Sequence, residues 1–402
     1  MRNRKILTFV GLLVLLGCTQ VLLDKQTNQG DLVSAPAFEV DPLWPKPLPN
    51  HWVTGNVIGV GVDSRDHVFI VHRQESVLEN TEAGAAAKPP ISECCLPAPP
   101  ILEFDPQGNL VNAWGGPNSE YDWPVSNHGV SVDHKDNVWV GGNGNCPQGS
   151  TDSNCPAGTG DSFILKFTHD GKFLKEFGVP HQAANSNSQT SFGRVAKISF
   201  DVKANEAFVA DGYGNKRVAV IDMDDGKIKR YWGAYGHKPD DTNLGPYDPS
   251  APVAQQFRNP VHCAEPTNDG LVYVCDRPND RIQVFKKDGS FVKEKIIFPA
   301  TRGDGSVWDI AFSRDPQQKY LYLADGKNER VYVMDRQSLE ILTSFGDGGR
   351  QPGQWFAVHS IATDSKGNIF TTETYEGRRL QKFVYKGIGR VGKTQGVVWP
   401  KR

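Results

Sequence analysis

The chain has 402 residues, with 44 Lys and Arg against 46 Asp and Glu, for a formal net charge of −2. That balance gives no electrostatic case for nucleic acid or an anionic membrane surface as a partner. Gly (41) and Pro (27) are abundant and helical periodicity is nearly absent, which argues against a helical bundle and for a turn-rich all-β chain.

Met1–Gly17 reads as a targeting segment. Arg2, Arg4 and Lys5 precede an apolar run from Ile6 to Leu16 that is too short for a stable bilayer anchor. Leu15-Leu16-Gly17-Cys18 resembles a bacterial lipoprotein processing box, with Leu where a small residue is more usual; a plain secretory signal is the alternative. Either way export is expected, as a lipoprotein anchored through Cys18 on the periplasmic face of the outer membrane or as a periplasmic or secreted protein. Thr19–Ala37 is polar and reads as a tether, which leaves residues 38–402 for the folded domain.

From Asn56 onward one unit recurs, and Asn259–Phe285 shows it most clearly. Val261–Ala264 leads to a turn at Thr267–Gly270, then to the β-rich run Leu271–Cys275, the polar loop Asp276–Asp280 and a third run, Arg281–Phe285. The unit returns at Asn56–Arg73 (its third strand displaced to Pro100–Asp105), Val125–Phe167, Arg194–Asp222, Ser306–Asp335 and Phe356–Phe383. A fourth run usually ends in Trp-Gly or Phe-Gly, as at Trp114-Gly115, Phe177-Gly178, Trp232-Gly233 and Phe345-Gly346. Six copies of a four-stranded unit predict a six-bladed β-propeller, since one blade cannot bury both faces of its own sheet. The last unit lacks a clear fourth strand, so Phe38–Trp44 or the tail near Gly396–Trp399 is expected to supply it and close the ring. Long insertions fall at Gln74–Pro99, Asn143–Asp161, His181–Ser191 and Gly236–Gln255. A monomer is expected.

Setting Cys18 aside leaves Cys94, Cys95, Cys146, Cys155, Cys263 and Cys275. An even number in an exported chain reads as disulfides. Cys263 and Cys275 begin and end adjacent antiparallel strands and should face each other. Cys146 and Cys155 flank one polar insertion and could pair, and the vicinal Cys94-Cys95 is left open. The spacing does not fit a zinc ribbon.

The histidines share one structural position. Counting eleven residues back from the second-strand aromatics Trp139, Tyr273 and Phe370 gives His128, His262 and His359. The second, fourth and sixth units thus carry His at the start of the first strand, which lines the channel of a propeller. The odd units hold Ile58, a residue near Ala196–Lys197 and one near Trp308 there. Residues from alternate blades point at the axis about 120° apart, and three imidazoles so placed suit a divalent metal, most often zinc, with a fourth position open. A single buried His is more often a hydrogen-bonded core residue; three at one offset are harder to read that way. The loops after the second strands bring Arg73, Tyr213 and Arg277 to the same face. Arg suits a carboxylate, and a Tyr beside a dication could serve as a base. Each alone is equally a turn residue.

The repeats resemble NHL repeats, and the span from Asn56 to Phe383 resembles peptidyl-α-hydroxyglycine α-amidating lyase, the lyase half of peptidylglycine α-amidating monooxygenase. That resemblance implies a six-bladed propeller with one catalytic zinc. His128 in Asn127-His128-Gly129, His262 in Pro260-Val261-His262 and His359 in Val358-His359-Ser360 match its zinc ligands. Tyr213 in Asp211-Gly212-Tyr213 matches its catalytic tyrosine, and Arg73 and Arg277 its active-site arginines. Ser360 stands where the family has a calcium-binding Asp, which puts structural Ca2+ in doubt, although the carbonyls of Val60 and Val130 could contribute to such a site. The implied activity is cleavage of an N-acyl-α-hydroxyglycine-like carbinolamide to an amide and an α-oxo acid. Two other readings share the sequence: a zinc hydrolase of lactones or esters, and a non-catalytic propeller that binds a glycan or protein.

Overall fold

The computed structural model describes residues 32–152, 155–182 and 185–400. The targeting segment expected over residues 1–17, and Cys18, lie outside these. Six four-stranded antiparallel sheets form the body of the molecule, beside a two-stranded parallel ladder of Trp52–Val53 with Leu96–Pro97, so the predicted six-bladed β-propeller is the fold. From channel to rim, blade 1 comprises Asn56–Val62, Val68–Arg73, Ile101–Phe104 and Leu110–Trp114. Blade 2 comprises Asn127–Val132, Val138–Gly142, Phe163–Phe167 and Phe173–Gly178. Blade 3 comprises Lys197–Asp201, Glu206–Asp211, Arg217–Asp222 and Ile228–Trp232. Blade 4 comprises Val261–Pro266, Leu271–Asp276, Arg281–Lys286 and Phe291–Ile296. Blade 5 comprises Asp309–Phe312, Tyr320–Asp325, Arg330–Asp335 and Ile341–Phe345.

Blade 6 takes Val358–Thr363, Ile369–Glu373 and Leu380–Val391 from the C-terminal part of the chain and Val33–Asp41 from the N-terminal part as its outermost strand. The N-terminal segment therefore closes the ring. The strand starts at Val33, because residues 33–37 continue the ladder against Leu380–Val391 (Val33↔Val391 to Asp41↔Lys382). The tether expected over 19–37 is shortened accordingly. The C-terminal tail does a second job. Gly396 O accepts from Gly346 N at 2.8 Å and Val398 O from Val40 N at 2.7 Å, so the tail joins blade 5 to the closing strand.

The core is distributed as six apolar clusters, each lying mainly between two neighbouring blades. The second-strand aromatics Phe69, Trp139, Phe208, Tyr273, Tyr322 and Phe370 are all buried in them. Each such side chain contributes on the order of 1.5–3 kcal/mol by leaving water. Because every blade face is covered by the next, the ring has no free start or finish. The disulfides are Cys263–Cys275, as the strand pairing requires, together with Cys146–Cys155 and Cys94–Cys95. Three bridges fit an oxidising, exported setting. Among the described residues no helix is long and apolar enough to cross a membrane.

Candidate metal centre

The three even-blade inner strands are irregular where the histidines sit. Pairing slips between His128 and Val130 in blade 2, between Val261 and Cys263 in blade 4, and between Val358 and Ile361 in blade 6. A β-bulge re-aims a side chain that would otherwise follow the pleat. In blade 2 the extra residue is Gly129, with φ +70° and its Cα so close to blade 3 that a Cβ would lie 2.4 Å from Ala196 O. The bulges place His128, His262 and His359 together, all buried, with ligating nitrogens within 4.8 Å of one another and ring centroids 4.8–5.3 Å apart.

The odd blades orient them. His128 Nδ1 lies 2.8 Å from Ala196 O, and His262 Nδ1 faces Trp308 O. A carbonyl only accepts, so Nδ1 carries the proton and Nε2 keeps its lone pair. His359 Nδ1 lies 3.1 Å from Ser360 Oγ, which itself donates to Ile58 O at 3.2 Å; the same tautomer follows. Ile58, Ala196 and Trp308 are the odd-blade counterparts of the three histidines; Ala196 and Trp308 each hold one directly, and Ile58 holds His359 through the Ser360 hydroxyl. This is the arrangement that fixes metal-ligating imidazoles elsewhere. Burial, and after it Arg73, pushes the His128 pKa well below its ordinary value. Burial followed by Arg277 does so for His262, and burial followed by the neighbouring histidines does so for His359. The rings are neutral, the form a metal needs.

Tyr213 and Arg277 join the centre. Tyr213 Oη is 3.0 Å from His128 Nε2 and 3.1 Å from His262 Nε2, and one hydroxyl proton serves two lone pairs. Arg277 Nη1 donates to Tyr213 Oη at 3.4 Å, and its guanidinium stacks 4.5 Å over the Trp308 ring. Arg73 sits further back, donating to Asn127 O at 3.3 Å and to Asn143 Oδ1 at 2.6 Å. All six residues singled out in the sequence therefore gather at one mouth of the channel.

The supports of this constellation escaped the sequence reading. Asp211 accepts from Gly193 N, Asn215 Nδ2 and Arg217 Nε at 2.6–2.8 Å, pinning both ends of the Tyr213 loop. Asp276 accepts from Asn279 Nδ2 and Arg281 Nε at 2.8 and 2.6 Å, pinning the Arg277 loop. The two arginines then reach into the insertions, Arg217 to Ser188 O and Arg281 to Ala254 O. The signal was available: each loop opens on Asp at the end of the second strand and closes on Arg at the start of the third. Arg194, which donates to Tyr213 O at 2.8 Å, was also missed.

Further along the channel, inner strands of all six blades line a cavity containing Lys197 and Glu265. Lys197 Nζ lies 2.8 Å from Asp309 Oδ1 and 2.9 Å from Glu265 Oε1. Burial alone would lower the lysine pKa, but the two carboxylates more than reverse it. The doubted calcium gains nothing from Ser360, whose hydroxyl is engaged by His359 and Ile58.

The fold and centre define a six-bladed β-propeller with a tri-histidine mouth. No family model matches the chain. Its homologues include NHL repeat-containing protein 3 of Mus musculus, 23% identical over 367 residues, covering 87% of this chain and 84% of that protein. They also include peptidylglycine alpha-amidating monooxygenase of Rattus norvegicus, 26% identical over 373 residues and covering 86% of this chain. The Mus musculus counterpart of the latter is 27% identical over 335 residues. The chain spans only 33% and 29% of those two monooxygenases, within their lyase part. A solved streptogramin B lyase structure superposes with a TM-score of 0.49 at 12% identity, covering 88% of this chain and 98% of that one, a likeness too loose to carry a functional argument.

Proposed function

We propose that the protein is a zinc-dependent carbon–nitrogen lyase of the peptidylamidoglycolate type. The observation that carries this reading is the convergence of three Nε2 lone pairs beside Tyr213 Oη, in a chain homologous to the amidating monooxygenases over most of its length. The donor set fits zinc: three neutral imidazoles whose ligating nitrogens lie within 4.8 Å of one another. A divalent ion held by His128, His262 and His359 would supply Lewis acidity at the substrate hydroxyl.

The chain's own residues do the rest. Arg277, and Arg73 behind it, hold the carboxylate of an N-acyl-α-hydroxyglycine. Tyr213 relays the hydroxyl proton to the leaving nitrogen. The hydroxyl-bearing carbon becomes a carbonyl as its bond to nitrogen breaks, giving an amide and glyoxylate. The staples at Asp211–Arg217 and Asp276–Arg281 keep Tyr213 and Arg277 from drifting, which matters because small misplacements cost large factors in rate.

Metal analysis of the purified protein tests this first, with one zinc per chain expected at this centre and its loss in His128→Ala/His262→Ala. Tyr213→Phe should keep the metal and lower turnover of α-hydroxyhippurate by about 10²–10⁴-fold; full activity in that variant removes Tyr213 from the mechanism. Benzamide as the product, rather than benzoate, separates a lyase from a hydrolase. The competing reading is a binding propeller, favoured by the relative matched over 84% of its own length, whose name carries no activity. It requires a protein without stoichiometric zinc.

A further inference from the structure

The mouth carries more positive charge than the proposed reaction uses. Arg73, Arg194, Lys216, Arg258 and Arg277 surround it. Among the described residues only Arg277 has a carboxylate within ion-pair reach, Asp304 at 3.7 Å. Other buried cations in this chain are tightly matched, as Arg217 is with Asp211 at 2.7 Å and Arg281 with Asp276 at 2.6 Å. Lys216 is 6% exposed, and its ammonium donates to Thr242 O. Arg258 donates through Nε to Asn279 Oδ1 at 2.9 Å and through Nη1 to Gly245 O. These partners are uncharged. Burial lowers the Lys216 pKa and Asp241, Asp240 and Asp276 oppose it, as Asp276 also does for Arg258, but Asp240 accepts from Thr242 N at 2.8 Å, Asp241 from Ser186 N at 3.1 Å and Asp276 from Arg281 Nε at 2.6 Å.

Lys216, Arg258 and Arg277 line one cavity of about 290 Å³ with Leu244, Tyr247 and Asp304. That is room for roughly ten waters, enough for a short chain. Arg277 is the wall shared with the metal centre, since it also reaches Tyr213 Oη. Three cations facing a single carboxylate make this a site that lacks an anion.

Resting on the lyase reading, we infer that this cavity is the subsite for a second carboxylate, carried at the far end of the substrate's acyl group. The glycine-derived carboxylate lies at Arg277 and Arg73, the acyl chain passes along Leu244 and Tyr247, and its terminal acid meets Lys216 and Arg258. The substrate class is an N-acyl-α-hydroxyglycine whose acyl part is itself acidic.

The test is equilibrium binding by calorimetry, using N-acylglycines that lack the α-hydroxyl and cannot be cleaved. Dicarboxylic members from succinyl to suberoyl are compared with neutral members of equal chain length. At the best-fitting length the diacid should bind roughly ten- to hundredfold more tightly, the worth of a hydrogen-bonded charge pair. Lys216→Gln and Arg258→Gln should each shrink that ratio, and Lys216→Arg should preserve it. Equal affinities in the wild-type protein, or a preference that survives both Gln substitutions, overturns the proposal. Turnover of the α-hydroxy compounds is measured separately. Selective binding without turnover defeats the lyase reading and leaves the acidic subsite standing; turnover without selectivity does the reverse.

Discussion

Two buried polar clusters share the channel. The three imidazoles at the mouth bring no charge, and their Nδ1 atoms are taken by Ala196 O, Trp308 O and the Ser360 hydroxyl, which leaves the Nε2 lone pairs aimed inward. Further along, Lys197 meets Asp309 and Glu265, and Asp309 also accepts from Ile361 N at 3.0 Å. That cluster supplies its own cation and is complete. His72 makes the same point for a single ring: its Nδ1 accepts from Gly55 N at 3.2 Å and its Nε2 faces Pro99 O at 3.0 Å, so both nitrogens are used by backbone. Burial alone therefore does not mark a site. What marks one is a set of buried groups whose remaining valence points at a common place.

The largest expected effect breaks the completed cluster. Lys197→Met leaves Asp309 and Glu265 with no cation between them. Removing one partner of a buried pair costs about 3–5 kcal/mol, so the denaturant midpoint should fall sharply while the three histidines still take up zinc. Loss of zinc in equal measure would show that the two clusters are one unit and would dissolve the comparison.

Next comes His72. Burial lowers its pKa from 6.5 to about 4. Between those values the unfolded chain binds the proton and the fold does not. Stability is therefore fully present above pH 6.5 and is lost as pH falls toward 4, by on the order of 3 kcal/mol. His72→Gln should flatten that part of the stability profile in chemical denaturation between pH 4 and 7. An unchanged slope would mean that His72 is not the satisfied, neutral ring described here.

Much of this was legible beforehand, for identifiable reasons. Blade number follows from the repeated turn chemistry. The histidines were found because a bulge adds its residue in the same place in each even blade, so the count of eleven back from the aromatic survives. What the count could not show is that a bulge is there at all, since an unpaired residue looks like any other in a strand of small and β-branched side chains. The Lys197–Asp309 pair was hidden because its members stand 112 positions apart and belong to different blades. Of the two segments expected to close the ring, the N-terminal one does so, but its start was read five residues late, because Ser34, Ala35 and Pro36 are weak strand formers that only the partner strand Leu380–Val391 holds in register.

The smallest effect is the most discriminating, because it touches neither cluster's polar atoms. Gly212 separates the Asp211 staple from Tyr213. A Cβ at this position would fall 2.0 Å from Val261 O and 2.3 Å from Val261 N, on the backbone that precedes His262. Neither the strand nor the pinned Asp211 can move away, so in Gly212→Ala the Tyr213 loop must lift. The imidazoles keep their own supports at Ala196, Trp308 and Ser360, and zinc content should be unchanged. Tyr213 Oη, now 3.0 and 3.1 Å from two Nε2 atoms, loses that placement. A shift of about 1 Å is worth on the order of 10²-fold in rate, so kcat should fall by tens to a hundredfold, less than in Tyr213→Phe. A Gly212→Ala protein with full turnover would mean that the open cluster works without a positioned hydroxyl. If Gly212→Ala abolished zinc uptake, the Tyr213 loop, and not Ala196, Trp308 and Ser360, would be what holds the three rings in place.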